Sequence, residues 1–286
     1  MNNNAIEIKG LTKNYGSFAL DNIDLTVEKG TIMGLVGQNG AGKTTLINLI
    51  MNKISKDSGE INVYGLDNII DEPAVKNIIG YIADEEYMYY NYTLAKYAKI
   101  FAMAFDRWDQ AVFEDYCKRF ELPMKKKFSE YSKGMKTKAM LALAIAHDPK
   151  LLIMDEPTAG LDPVARIEML DIIRAFVEDG EHAVLFSTHI TSDLDKVADY
   201  ITLIIDGKII ESMTIDEIEE KYAIASGENT PSDKIKPYLI GCRQNSTSFT
   251  ALVRRSDIPK LGNVDIRIPD IESLLTHNIW QRKSEK

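Results

Sequence analysis

Short apolar runs alternate with helical patterns along this chain, and their order predicts an α/β protein. AIEIKG and IDLTVEKG alternate apolar and polar positions, the period of a half-buried strand. TIMGLVG is a continuous apolar run closed by glycine, as in a strand buried on both faces. QNGAGKTTLINLIMNKI follows as a loop and then a helix, with apolar residues at Leu46, Ile47, Leu49, Ile50 and Ile54. GEINVYG and KNIIGYIAD read as further strands. From about Glu85 to Ile145 the spacing turns helical, most plainly in LAKYAKIFAMAFDRW, where apolar residues recur every three or four positions. LLIMDEP and HAVLFSTH read as buried strands on either side of the helix PVARIEMLDIIRAFVEDG, and LIIDGKII as a hairpin turning at Asp206-Gly207.

Strands alternating with helices indicate a mostly parallel sheet. The helical stretch, about residues 85–145, is an insert in its middle. A change of pattern near YAIASGENTPSD separates a smaller C-terminal unit, so the expected division is 1–218 and 219–286.

Composition narrows the function. The net charge of −9 argues against general nucleic-acid binding, which needs a basic face. Cys117 and Cys242 lie far apart with no metal-ligand spacing and are expected to be reduced thiols. The start, MNNNAIEIKG, lacks the charged-then-apolar pattern of a secretory signal. No apolar run approaches the ~18–20 residues that span a bilayer, so a membrane role is expected to come through a partner.

The chemistry centres on GQNGAGKT, Gly37 to Thr44, which fits G-x-x-x-x-G-K-[ST] between an expected strand and an expected helix. Glycines let the loop curl so that backbone N–H groups face phosphate oxygens, and the positive end of the following helix adds to the attraction. Lys43 is placed to reach the β- and γ-phosphates and the Thr44 hydroxyl to ligate Mg²⁺. The expected phosphate-binding set is Gly37, Gln38, Asn39, Gly40, Ala41, Gly42, Lys43, Thr44 and Thr45. LLIMDEP ends a buried strand on Asp155, a second magnesium ligand, and Glu156, positioned to polarise the attacking water. A second candidate anion site lies in YSKGMKTK, where Ser132 and Gly134 stand at the expected start of a helix.

GQNGAGKTT, YSKGM, LLIMDEPTAGLDP and STH, in this order and spacing, resemble the nucleotide-binding subunits of ABC transporters. The resemblance covers about residues 5–215. It is nearest to Gram-positive ATPases of peptide and antimicrobial export or resistance, a finer likeness carried by YSKGMKTK and by VDIRIPDIESLLTHN. It implies a P-loop NTPase with a RecA-like core, an antiparallel β subdomain, a helical insert and a small C-terminal α+β unit. It also implies a head-to-tail dimer, homomeric or with a second ABC ATPase, in which the signature loop of one subunit closes on the ATP held by the other. Separate transmembrane permease subunits would hold the ATPase at the cytoplasmic face of the membrane.

By position, Tyr15 matches the aromatic residue that stacks on adenine, the alternative being a core tyrosine at a strand end. His189 matches the histidine that contacts the γ-phosphate, and Asp162 the loop that couples the two sites. Three positions depart from the family pattern. Lys133 stands where the signature has glycine, Met135 where it has glutamine, and Asp84 where a glutamine usually contacts magnesium and water. Asp84 is either a metal ligand or only a hinge to the insert.

Tyr81, Tyr87, Tyr89, Tyr90, Tyr92 and Tyr97 crowd the start of the insert, as interface anchors or as its aromatic core. Lys118, Arg119, Lys125, Lys126, Lys127, Lys133, Lys136 and Lys138 form a basic stretch, either a solvated face or an attraction for nucleotide phosphates. The rival readings are a soluble ABC-type ATPase acting on ribosomes or DNA, and a P-loop module without hydrolysis. Intact Glu156 and His189 oppose the latter.

Overall fold

Strands β1 (Asn4–Asn14) and β2 (Ala19–Glu28) pair antiparallel, with their alternating apolar residues turned to one face. The computed structural model describes residues 3–83, 88–89, 91–228 and 230–284. Next along the chain come β3 (Ile32–Val36), α1 (Lys43–Ile50), β4 (Ser58–Val63), β5 (Leu66–Asp67), α2 (Glu72–Asn77) and β6 (Ile79–Ile82). The insert carries α3 (Leu94–Ala104), α4 (Gln110–Arg119) and α5 (Lys133–Ile145). The chain then returns through β7 (Leu151–Asp155), α6 (Pro163–Phe176), β8 (Ala183–Thr188), α7 (Thr191–Val197), β9 (Tyr200–Ile205) and β10 (Lys208–Thr214). The remainder holds α8 (Ile215–Lys221), β11 (Tyr222–Glu228), β12 (Ile240–Gln244), β13 (Ser248–Arg254), β14 (Asp265–Arg267) and α9 (Ile271–Ser284).

Three sheets organise these elements. One has the order β2-β1-β4-β5 and is antiparallel. The central six-stranded sheet runs β10-β9-β3-β8-β7-β6, parallel except for β10. Every residue of β3, β7 and β8 is buried, as expected of strands covered on both faces. On one side their side chains meet α1 and the antiparallel sheet, in a core that includes Ile8, Leu25, Leu35, Leu46 and Leu185. On the other side Phe186 and Leu152 join Phe113, Leu141 and Ile173 from the helices.

The hairpin at Asp206-Gly207 forms as the sequence predicts, with both residues at positive φ (49° and 74°), the primed turn that matches strand twist. A side chain on Gly207 would put its Cβ 1.7 Å from the Ala19 carbonyl oxygen. The close approach lets the Gly207 N–H donate to the Ala41 carbonyl (3.0 Å), tying the hairpin to the loop between β3 and α1.

Two boundaries differ from the pattern. Helix α1 stops at Ile50, because Asn52 adopts a left-handed conformation (φ 50°), and Ile54 packs from outside the helix. Tyr222–Glu228, within the stretch expected as a break, is a strand paired on both edges, with β13 and β14. The expected junction at 218/219 falls inside α8. Helix α9 lies between the sheet β12-β13-β11-β14 and α7, and its Leu274 and Ile279 join Leu252 of β13 and Leu194 of α7 in one core.

Candidate functional site

Strand β3 delivers the chain into the loop Gly37–Gly42, and α1 leaves it. Cβ atoms at the two bounding glycines would collide. At Gly37 the clash is with the Ile204 carbonyl oxygen at 2.4 Å, and at Gly42 (φ 113°) with Leu20 Cδ2 at 2.6 Å. Gln38, Asn39 and Gly40 form the exposed crest, closed by the Ala41 N–H donating to the Gln38 carbonyl (3.1 Å).

Helix α1 has no side-chain cap. The N–H groups of Gly42, Lys43, Thr44 and Thr45 donate to no acceptor among the described residues. Orphan donors at a helix start, with the dipole behind them, are the fit expected for a polyphosphate. Lys43 is buried and folds back over the loop, its Nζ 2.8 Å from the Gly37 carbonyl and 3.5 Å from Glu156 Oε1.

The acids arrive from β7. Asp155 is buried, and its Oδ2 accepts the Thr44 hydroxyl at 2.8 Å. Its Oδ1 accepts the hydroxyl of Ser187, its cross-strand partner on β8. Thr44 and Asp155 thus present hard oxygen donors to one point beside the loop, the donor set that suits Mg²⁺.

Glu156 sits at φ 52°, a left-handed conformation costing ~1–3 kcal/mol and typical of functional positions. Its N–H donates to the Ser187 carbonyl (2.9 Å). Its Oε2 accepts from the Thr188 hydroxyl and the His189 N–H, both at 3.3 Å, and lies 2.8 Å from His189 Nδ1. The carboxylate therefore bridges a buried lysine and a half-exposed histidine. Ser187 and Thr188 were not singled out by sequence reasoning. The signal was present in STH and in the pairing of β8 with the acid-bearing strand.

Tyr15 is not a core residue: it is 52% exposed, on the turn between β1 and β2. Phe18 of the same turn approaches Gly42, so this turn borders the phosphate loop.

Ser132 and Gly134 lie elsewhere. Ser132 is the N-cap of α5, accepting the Met135 N–H at 3.2 Å. Gly134 packs toward Leu161, and Gly160 toward the stem of Lys133. Neither Ser132 nor Gly134 hydrogen-bonds with Gly37–Thr45 among the described residues. Asp162 is the N-cap of α6, accepting the Val164 and Ala165 N–H groups at 3.0 Å. The Ala165 amide first, then that of Val164, hold its carboxyl below the usual range. Asp84, Tyr87 and Tyr90 lie outside the described residues.

Residues 20–159 match the family model described as ABC transporter. The chain is 34% identical over 218 residues to the ABC transporter ATP-binding protein YtrB of Bacillus subtilis, covering 76% of this chain and 74% of that one. It belongs to the ATP-binding proteins of ABC transporters. Among other relatives are the bacitracin transport ATP-binding protein BcrA of Bacillus licheniformis and the lantibiotic transport ATP-binding protein SrtF of Streptococcus pyogenes. BcrA is 33% identical over 221 residues, covering 76% of this chain and 72% of that one. SrtF is 32% identical over 218 residues, covering 72% and 89%. A solved ATP-binding subunit of an ABC transporter superimposes with a TM-score of 0.70 at 28% identity, covering 75% of this chain and 92% of that one. The chain is thus an ATP-binding subunit of an ABC transporter, an ATPase coupled to transport.

The described tyrosines near the start of the insert of this ABC ATPase differ in their surroundings. Tyr97 is buried, donates its hydroxyl to the Tyr89 carbonyl (3.0 Å) and meets Phe128 edge-on, so it belongs to the core of the insert. Tyr89 is 72% exposed. Tyr81 lines an apolar groove of about 250 Å³ with Ile79, Phe101, Phe105, Met140 and His147, between the central sheet and the insert. The basic stretch divides as well. Arg119 (3.0 Å) and Lys138 (3.3 Å) both bind Glu168, fastening α4 and α5 to α6 instead of facing phosphate.

Proposed function

We propose that this chain is the ATP-hydrolysing subunit of an exporter of peptides or antimicrobials, driven by two ATPase chains closing over two ATP molecules. The carrying observation is the arrangement of Lys43, Glu156 and His189 beside the uncapped start of α1, with Ser132 and Gly134 held apart from it. On this reading one chain owns two half-sites, and each requires a partner, either a second copy or a different ABC ATPase. The likeness to BcrA and SrtF supports the class of cargo.

The triphosphate would lie on the N–H groups of Gly42 to Thr45, and Lys43 would exchange its carbonyl contacts for phosphate oxygens. Thr44 and Asp155 would hold Mg²⁺, which neutralises charge on the transferring phosphoryl group. Glu156 accepts and orients the attacking water, and His189 steadies both Glu156 and the γ-phosphate. Ser132 and Gly134 of the second chain would face the same phosphate. Asp162, beside that signature loop, would couple the two sites, and Tyr15 would stack on adenine. For Asp84 we favour the hinge role, since Thr44 and Asp155 already supply two ligands to an ion that keeps several waters.

Separate permease subunits would place the chain at the cytoplasmic face of the membrane. The groove of Phe101, Phe105 and Met140 is the surface that would receive them. The experiment is co-expression with the native membrane partners. Met140→Glu should abolish co-purification while leaving the isolated chain's ATPase rate within about twofold. Unchanged co-purification would remove the groove from the account. Identifying the partners captured by the parent chain tests the export role itself.

A further inference from the structure

Helix α7, which begins two residues after His189, is fastened to α6 by a charged pair that the nucleotide chemistry does not use. Asp193 in its first turn is fully buried. One carboxylate oxygen accepts from Nε of Arg166 on α6, and Nη2 of the same arginine donates to Ser192 Oγ at 3.2 Å. The other Asp193 oxygen is buried with no hydrogen-bond partner among the described residues. Further along, Arg174 Nη2 donates to the Lys196 carbonyl at 2.5 Å. Beneath α7, Gly34 of β3 makes room for Leu194, which would lie 2.6 Å from any Cβ there.

A buried carboxylate is a poor adhesive, since desolvation offsets much of the attraction and apolar residues would hold two helices as well. What a guanidinium fork adds is direction. Arg166 lies four residues beyond Asp162, the cap of α6, and Asp193 four beyond His189. The pair therefore links the starts of two helices, one capped by Asp162 and the other preceded by His189. The Asp193 N–H donates to the Ile190 carbonyl (3.2 Å), carrying the constraint back to the residue next to His189.

The geometry points to Arg166 and Asp193 as positioning residues for His189. They fix where α7 begins, hence where the imidazole stands against Glu156, and they pass any displacement of the Asp162 loop to that imidazole. This rests on reading His189 as the residue that steadies Glu156 and the γ-phosphate during hydrolysis.

The test uses the full chain and measures kcat, KM and ATP affinity for Asp193→Asn and Arg166→Lys, each alone and combined with His189→Ala. Melting temperatures are followed in parallel. Arg166→Lys keeps the charge and loses the fork. Since Arg166 is 27% exposed, this variant carries the test if Asp193→Asn does not fold. Each change alone should lower kcat about tenfold or more, with ATP affinity altered less than about threefold. In the His189→Ala background each should add less than about a further twofold, because its route of action is gone. A loss of equal size in both backgrounds, or unchanged kcat in the single variants, would overturn the positioning role while leaving the reading of His189 intact. Unchanged kcat in His189→Ala alone would overturn that reading, and the positioning role with it.

Discussion

Oε2 of Glu156 lies 2.8 Å from Nδ1 of His189, while Oε1 of the same carboxylate lies 3.5 Å from Nζ of Lys43. One side chain thus joins the buried Lys43 to the residue after β8, and it does so from a backbone conformation that few glutamates adopt. An arrangement held against strain and anchored at both oxygens suits a group that must orient water. Glu156→Gln should therefore bind ATP with Mg²⁺ normally and hydrolyse it ~10²–10⁴ times more slowly. ATP-bound dimers should accumulate. Single-turnover kinetics alongside equilibrium binding check this, and near-normal turnover would remove Glu156 from the role.

The loop glycines are fixed by crowding as well as by backbone freedom. A Cβ on Gly42 would stand 2.6 Å from Leu20 and would have to be carried at φ 113°. Gly42→Ala should cost ~1–3 kcal/mol of stability and weaken ATP binding, because relief of the clash moves the first turn of α1. Chemical denaturation and nucleotide titration of the same preparation check both effects together.

His147 gives the fold a pH dependence. It is buried against Phe105, ring centroids 4.0 Å apart, and its Nδ1 has no hydrogen-bond partner among the described residues. Burial lowers its pKa from 6.5 to about 4. The unfolded chain then takes up the proton first as pH falls. The contribution is complete above pH 6.5 and is lost between 6.5 and about 4. The loss is on the order of 3 kcal/mol. His277, also lowered by burial, acts in the same sense. Urea midpoints between pH 7.5 and 5 should fall for the parent chain and fall less steeply for His147→Leu.

What could be read from the chain follows from how local each signal is. The buried strands β3, β7 and β8 announce themselves as apolar runs, and the phosphate loop and the Asp206-Gly207 turn are set by residues adjacent in sequence. Strand β11 was hidden because the residues on one of its two covered faces are small. Ala223 and Ala225 carry little apolar signal, and Gly227 is required by Phe249, 2.7 Å from where a Cβ would lie. Ser187 and Thr188 look like ordinary strand residues, and only the pairing of β7 with β8 sets Ser187 opposite Asp155. The Arg166–Asp193 pair joins residues 27 apart on different helices, and no sequence period reports it.

On the proposed function, a working site takes its phosphate loop from one chain and Ser132 from another. The most direct test mixes a Lys43→Ala chain with a Ser132→Arg chain, labelled separately so that mixed dimers can be counted. Each variant alone places a defect in both of its sites, whereas a mixed dimer keeps one site with both Lys43 and Ser132 intact. ATP hydrolysis, absent from either variant alone, should reappear in proportion to the mixed dimers. Mixed dimers that form and hydrolyse ATP no faster than the separate variants would contradict the proposal.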